Sequence, residues 1–231
     1  MFNRKKAIPQ SFFFDDETPE ATELKRLYSK IKRKGSKKKS DSLLITSASM
    51  GEGKSTVSSL LAITMAKSSE SKTLLIDCDL RRPKIHELME MKMENGFSDV
   101  LSGEKTFNEC VKETWIDNLK VLTAGELVDK PSALLKNQKF DELVSDLKHY
   151  FNHIVLDCPP VLPVSDSLIL GKHADGIFMV VRVGKTRKEL VERAKSLIHD
   201  ASLEIAGVIL NNVEEILPFY YNYKYYGYSY K

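Results

Sequence analysis

Short apolar runs alternate with amphipathic segments along most of the chain, and this alternation predicts its elements. Six apolar runs have the length of buried strands; they cover 42–46, 73–77, 119–123, 153–157, 176–182 and 206–211. Apolar positions at helical spacing predict helices over 54–67, 140–151 and 187–201, and an earlier helix from Pro19 to about Arg33 with Thr18 as its cap. Short strands that alternate with helices predict a doubly wound α/β fold, with a mostly parallel sheet and helices on both faces.

Both ends of the chain depart from this pattern, so we expect three parts. Residues 1–40 form an N-terminal segment with the first helix and a basic linker, residues 41–216 form one domain, and residues 217–231 form a flexible tail. The N-terminal segment has nine basic residues and no acid between positions 25 and 39; they are Lys25, Arg26, Lys30, Lys32, Arg33, Lys34, Lys37, Lys38 and Lys39. A solvated helix end is the first interpretation of this run, and an anionic lipid surface or an acidic protein partner are the alternatives.

Composition excludes several classes of protein. The net charge is only +3, and no apolar run approaches the roughly 20 residues that cross a bilayer. The first residues lack the apolar region of a secretory signal. The three cysteines are few and widely spaced, so a disulfide scaffold is not expected and a reduced cytosol fits best. The five histidines show no metal-ligand spacing.

A glycine-rich loop lies between the first predicted strand of the domain and its helix. The segment reads Ala48-Ser-Met-Gly-Glu-Gly-Lys-Ser-Thr56, a P-loop pattern in which Ala48 replaces the first glycine. Gly51 and Gly53 allow the backbone to approach phosphate oxygens, and the helix start adds a positive dipole end. We expect ATP to be bound by Ser49, Met50, Gly51, Glu52, Gly53, Lys54, Ser55 and Thr56. Lys54 would reach the β- and γ-phosphates, and Ser55 would bind Mg²⁺.

Carboxylates follow two other predicted strands. Asp77 and Asp79 end the run at 73–77, and Asp157 ends the run at 153–157 in the manner of a Walker B segment. Ligands of doubly wound folds bind beyond the carboxyl ends of the strands. We therefore expect Asp79 and Asp157 to join Ser55 near Mg²⁺, and Asp77 to act as the base. Cys78 and Cys158 adjoin these acids, but Mg²⁺ disfavours thiolate ligands. We therefore expect the two cysteines to fill space in the buried core.

Two further features concern the phosphoryl group and its acceptor. Arg81 would either neutralise charge on the transferred group or pair with an acid. Seven of the nine tyrosines lie in the last twelve residues; they are Tyr220, Tyr221, Tyr223, Tyr225, Tyr226, Tyr228 and Tyr230. A phosphoryl-donor site joined to a row of phenols suggests an enzyme that phosphorylates its own tail. The alternatives for the tail are sticky disorder or an aromatic membrane-interface segment.

These three motifs in this order, followed by a tyrosine cluster, resemble the bacterial tyrosine kinases of capsule and exopolysaccharide synthesis. The likeness runs from about Glu23 to the C-terminus and includes 122–125, 131–135 and 207–211. The resemblance implies the P-loop NTPase fold, ATP and Mg²⁺ as cofactors, and Lys54, Asp77, Asp79 and Arg81 as catalytic residues. It also places Asn211 near the adenine.

The family's oligomerisation helix carries Glu-x-x-Arg-x-x-Arg, and the chain matches it at Glu23 and Arg26. The third position is Ser29, and Lys30 does not reproduce a bidentate guanidinium, so the size of the oligomer stays open. The resemblance further implies a stand-alone cytoplasmic kinase that a transmembrane activator of polysaccharide export recruits to the inner face of the membrane. A ring-like homo-oligomer, trans-phosphorylation and a cognate tyrosine phosphatase belong to the same expectation, without nucleic acid.

Two other classes of function compete with this interpretation. Positioning ATPases of the MinD/ParA type share the nucleotide and the fold, but they carry a signature lysine where this chain has Ser49. A non-catalytic protein that binds nucleic acid or polysaccharide would interleave aromatic and basic residues. The tail has only Lys224 and Lys231 among its tyrosines, which disfavours that class.

Overall fold

Seven strands form one sheet whose order places the P-loop strand near the middle. The computed structural model describes residues 19–35, 41–69, 71–136 and 139–212. The strands are β1 (Asp41–Ser47), β2 (Thr73–Asp77), β3 (Lys112–Glu113), β4 (Leu119–Leu122), β5 (His153–Asp157), β6 (Gly176–Arg182) and β7 (Ile205–Asn211). Their order is β3-β4-β2-β5-β1-β6-β7, and every pair is parallel except β3 with β4. The predicted mostly parallel, doubly wound sheet is confirmed.

Helices cover both faces of this sheet. They are α1 (Pro19–Gly35), α2 (Lys54–Ser69), α3 (Ile85–Leu88), α4 (Phe97–Ser102), α5 (Phe107–Cys110), α6 (Pro131–Leu135), α7 (Lys139–Tyr150), α8 (Asp166–Gly171) and α9 (Lys188–Asp200). Helices α1, α2 and α3 share a core with one face of the sheet, and α4, α7, α8 and α9 share a core with the other. β1, β2 and β5 are covered on both faces, so their middle positions are apolar and every residue in them except Asp41 is buried.

The predicted strands and long helices agree with these elements to within one or two residues at most boundaries. β2, β5 and β6 begin and end where the apolar runs predict. The short helices α3, α4, α5, α6 and α8 and the two-residue strand β3 were not predicted, because four to six residues carry too little periodicity. The proposed cap Thr18 and the tail over 217–231 lie outside the described residues.

Helix α1 packs against the amino end of β5. Its apolar side buries Ala21, Tyr28 and Ile31, and α1 packs on α2. The Tyr28 hydroxyl lies 3.1 Å from Nε2 of His153, and the two rings meet edge to face. Within the described residues, no helix is long and apolar enough to cross a membrane.

Candidate active site

The P-loop joins β1 to α2, and its backbone has the conformation that its glycines allow. Gly51 and Gly53 have φ angles of 75° and 87°, in the left-handed region that suits glycine. Ser49 donates its backbone N–H to Oε1 of Glu52 at 3.1 Å, which ties the loop across its own turn. Met50 is exposed at the tip, and Thr56 is exposed on the first turn of α2.

Lys54 and Ser55 lie on the first turn of α2, at the positive end of the helix dipole. Lys54 Nζ lies 2.9 Å from Oδ2 of Asp79 and 3.9 Å from Oδ2 of Asp157. Burial disfavours the charged ammonium, but Asp157 and Asp79 together more than offset this, so the pKa of Lys54 rises above its usual value. The lysine is therefore a fixed positive charge between two acids.

Asp157 ends β5 and is completely buried. Its Oδ1 accepts a hydrogen bond of 3.0 Å from the Ser58 hydroxyl, but its Oδ2 has no hydrogen-bond partner in the described part of the chain. Burial raises the pKa of Asp157, while Lys54, Ser55 and Ser58 act in the opposite direction. An unsatisfied carboxylate oxygen beside the P-loop is a free position for a cationic ligand.

Asp77 and Asp157 are register neighbours on β2 and β5, so their side chains emerge on the same side of the sheet. Asp77 is also fully buried; its Oδ1 accepts from the backbone N–H of Asp79, and its Oδ2 accepts from those of Lys84 and Ile85. Burial, together with the charge of Asp157, raises the pKa of Asp77 to about 7. Asp77 thus organises the 78–85 segment, and its pKa lies near neutral pH.

Arg81 pairs with an acid, which is one of its two predicted roles. Its Nε donates to Oδ2 of Asp166 at 2.8 Å, and its Nη2 donates to the Ser132 hydroxyl at 2.8 Å. Ser132 donates in turn to Oδ1 of Asp166 at 2.5 Å. Asp166 has no local signal in the sequence, because it reaches Arg81 from a helix 85 positions further along the chain.

Asn211 lies at the end of β7 and contacts the opposite flank of the P-loop. Its Nδ2 donates to the Glu52 carbonyl at 2.9 Å, and a side chain at position 53 would collide with it. Glu23 and Arg26 lie far from this site, on the exposed side of α1. They pair with each other at 2.5 Å, and Ser29 donates to the backbone carbonyl of Lys25.

The structure thus brings together Lys54, Ser55, Asp77, Asp79 and Asp157 at the carboxyl edge of the sheet. It does not bring Arg81 to the same acids, and it leaves Glu23 and Arg26 on the surface. Among the described residues, no group of three or more His, Cys, Asp or Glu side chains forms a protein-only metal cage. Magnesium in nucleotide sites relies on few protein ligands together with waters and phosphate oxygens, so this donor set fits it.

Comparison with known proteins agrees with this geometry. A family model described as "AAA domain" matches residues 43–200. The tyrosine-protein kinase YwqD of Bacillus subtilis is 36% identical over 80% of this chain and 77% of its own length. The tyrosine-protein kinase CpsD of Streptococcus agalactiae is 34% identical over 80% of this chain and 81% of its own.

Solved structures give the same result. The kinase domain of Escherichia coli tyrosine kinase ETK superposes with a TM-score of 0.78 at 30% identity, over 81% of this chain and 73% of that one. The MinD protein of Pyrococcus horikoshii has a TM-score of 0.65 at 22% identity, over 76% of this chain and 72% of that one, which shows the shared fold alone. The chain has a P-loop NTPase fold, and its likeness to kinases is closer than its likeness to MinD.

The P-loop, the strand-end acids and the similarity over about four fifths of the chain lead to one conclusion: this chain belongs to the family of bacterial tyrosine-protein kinases.

Proposed function

We propose that this chain is an ATP-dependent tyrosine autokinase that phosphorylates its own C-terminal tyrosines and thereby regulates capsular or exopolysaccharide synthesis. The observation that supports this most is Lys54, which lies between Asp79, two residues beyond β2, and Asp157, the last residue of β5, beside the P-loop. A fixed cation beside carboxylates with a free oxygen is the charge arrangement that phosphoryl transfer needs. The kinase relatives favour tyrosine as the acceptor.

The nucleotide would be held by the P-loop residues from Ser49 to Thr56, with Asn211 on the side of the adenine. Ser55, Asp79 and Asp157 would hold Mg²⁺, and the unsatisfied Oδ2 of Asp157 supports this assignment. When bound, the metal supplies positive charge to the terminal phosphates. Lys54 now neutralises Asp79 and Asp157, so its ammonium has to turn from Asp79 towards the phosphates when the nucleotide enters.

We assign the base to Asp77. A pKa of about 7 suits a group that accepts a phenol proton near neutrality. Because three backbone N–H groups now occupy its oxygens, the 78–85 segment has to shift before a tyrosine can reach it. Arg81 lies within this segment and is fixed to Asp166, so in this arrangement it positions the segment; its role at the phosphoryl group stays a prediction.

The acceptors in this proposal are the seven tyrosines at 220–230, which lie outside the described residues. Transfer would occur in trans, between subunits of an oligomer that uses the surface of α1 around Glu23 and Arg26. The partners would be a transmembrane activator of polysaccharide export, which recruits the kinase to the inner face of the membrane, and a tyrosine phosphatase. Added phosphates would favour separation of the subunits by charge repulsion.

Two full-length variants test autophosphorylation and its direction together. One carries Lys54→Met with an intact tail, and the other carries all seven tail tyrosines as phenylalanine with an intact P-loop. The two are mixed with ATP, Mg²⁺ and the cytoplasmic fragment of the activator, and phosphotyrosine is mapped by mass spectrometry. We expect phosphate on the 220–230 segment of the Lys54→Met chain.

Each variant alone is the matched control, and neither should gain phosphotyrosine in the tail. Phosphate on Lys54→Met alone at the rate of the wild-type chain would refute the role of the P-loop. If wild type is phosphorylated but the mixture is not, transfer occurs within one chain and the trans mechanism is wrong. Phosphate confined to residues outside 220–230 would refute the tail as acceptor.

A further inference from the structure

A second lysine lies close to the P-loop, on the side opposite to the acids. Lys185 lies in the 183–187 loop between β6 and α9, and its Nζ lies 3.5 Å from the position that a Cβ on Gly51 would occupy. The side chain is largely exposed. Within the described residues, its ammonium makes no hydrogen bond or ion pair, so this charge beside a phosphate loop is available to a ligand.

The sheet order assigns the two flanks of the loop to different parts of a nucleotide. The acids lie at the ends of β2 and β5, on one side of β1, and Lys54 points towards them. Terminal phosphates and metal therefore belong to that side. Lys185 and Asn211 follow β6 and β7 on the other side of β1. The nucleotide has to extend from the acids across the loop towards this pair, which places its nucleoside half there.

The 183–187 loop lies next to the P-loop, where Glu52 interacts with two of its residues, Thr186 and Lys185. Glu52 is buried, and its Oε2 lacks a hydrogen bond of normal geometry in the described part of the chain. Burial raises the pKa of Glu52, while the nearby Thr186 hydroxyl and the Lys185 charge lower it. Thr186 also bonds back to Arg182, and Asn211 accepts the backbone N–H of Val183 on its carbonyl.

We propose that Lys185 is a nucleotide-binding residue, whose ammonium and four-carbon stem contact the α-phosphate and ribose of ATP across Gly51. The ammonium would donate to oxygens of that half, and the stem would cover the apolar edge of the sugar. This assignment rests on the proposed function, because it presumes that the P-loop binds ATP. Since ATP and ADP share this half, the lysine should contribute equally to both, whereas Lys54 serves the terminal phosphates.

The test is calorimetric titration of the full chain with ADP and with ATPγS, each with Mg²⁺. Lys185→Ala should weaken both nucleotides by the same factor, about tenfold, which is the loss of one charge-assisted contact. Lys185→Met keeps most of the stem without the charge and should lose less. Lys188→Ala, at the start of α9 three positions further on, is the matched control and should bind as wild type.

The outcomes separate this inference from the proposed function. Unchanged affinity of Lys185→Ala for ADP, in a chain with the wild-type melting curve, would overturn the inference and leave the kinase proposal intact. A loss with ATPγS alone would also overturn it, because Lys185 would then contact the γ-phosphate. If Lys185→Ala unfolds, Lys185→Met gives the same comparison. A wild-type chain that binds neither nucleotide would overturn both proposals.

Discussion

The two ends of β5 each carry a buried titratable residue with an unsatisfied atom, yet they have opposite surroundings. His153 begins the strand and Asp157 ends it. Nδ1 of His153 and Oδ2 of Asp157 both lack hydrogen-bond partners in the described part of the chain. His153 contacts the neutral Tyr28, and its pKa falls because of burial and the nearby Lys32. Asp157 faces Lys54 and two other carboxylates, and its pKa rises.

The same strand therefore has a packing contact at its amino end and a group of the candidate active site at its carboxyl end. At the amino end, the unsatisfied Nδ1 of His153 is buried against α1, and the nearby Lys32 charge disfavours protonation of the ring. At the carboxyl end, the three carboxylates of Asp77, Asp79 and Asp157 share a buried space with the ammonium of Lys54, so a further cation would stabilise them. We therefore expect changes at the Asp157 end to alter activity, and changes at the His153 end to alter stability.

Among the changes at the Asp157 end, replacement of the P-loop lysine should have the largest effect on the rate of autophosphorylation. Lys54→Met removes the fixed charge from Asp79 and Asp157 and from the incoming phosphates, so autophosphorylation should fall at least about 1,000-fold. Phosphotyrosine formation over time gives the rate, and Lys188→Met provides a surface control. A Lys54→Met chain with more than a tenth of the wild-type rate would be incompatible with this site.

Most of the framework of this site could be predicted from the sequence, because its signals are local. The apolar runs that end in Asp77 and Asp157 give both strands and their acids, and the glycines mark the P-loop within ten residues. Asp166 and Lys185 could not be found in this way. Each reaches its partner from a distant element, and a single charged residue in a helix or loop carries no pattern of its own.

Removal of the Asp77 carboxylate should destabilise the fold even without substrate. Asp77→Ala leaves three backbone donors without an acceptor, two of them buried, so the free energy of unfolding should fall by about 3 kcal/mol. Urea denaturation gives this value, and Asp146→Ala on the exposed side of α7 is the comparison. An unchanged urea midpoint would mean that Asp77 does not organise the 78–85 segment.

Loss of the Tyr28 hydroxyl at the His153 end of β5 should have a smaller effect on stability. Tyr28→Phe keeps the ring against His153 and removes one hydrogen bond, which should cost about 1 kcal/mol of stability. Nucleotide affinity should not change, since the site lies at the opposite edge of the sheet. A drop in ADP affinity for Tyr28→Phe would contradict the separation of the two ends.

The smallest effect should be a dependence of stability on pH from His153. Its pKa is lower in the folded protein than the value of 6.5 for an unperturbed histidine, so the folded state disfavours the charged ring. Its contribution is therefore complete above pH 6.5 and is lost as the pH falls below that value. Urea midpoints between pH 5 and 8 should show this slope in wild type and a reduced slope in His153→Gln; equal slopes would exclude His153 as the source.

The most direct test of the contrast is one comparison of Asp157→Asn with His153→Gln, measured for tail phosphorylation and for melting temperature. We predict that Asp157→Asn loses phosphorylation by about 100-fold or more while it melts at or above the wild-type temperature, because a buried charge is removed. His153→Gln should keep the wild-type rate and melt at a lower temperature. A chain that remains active without the Asp157 carboxylate would contradict the account.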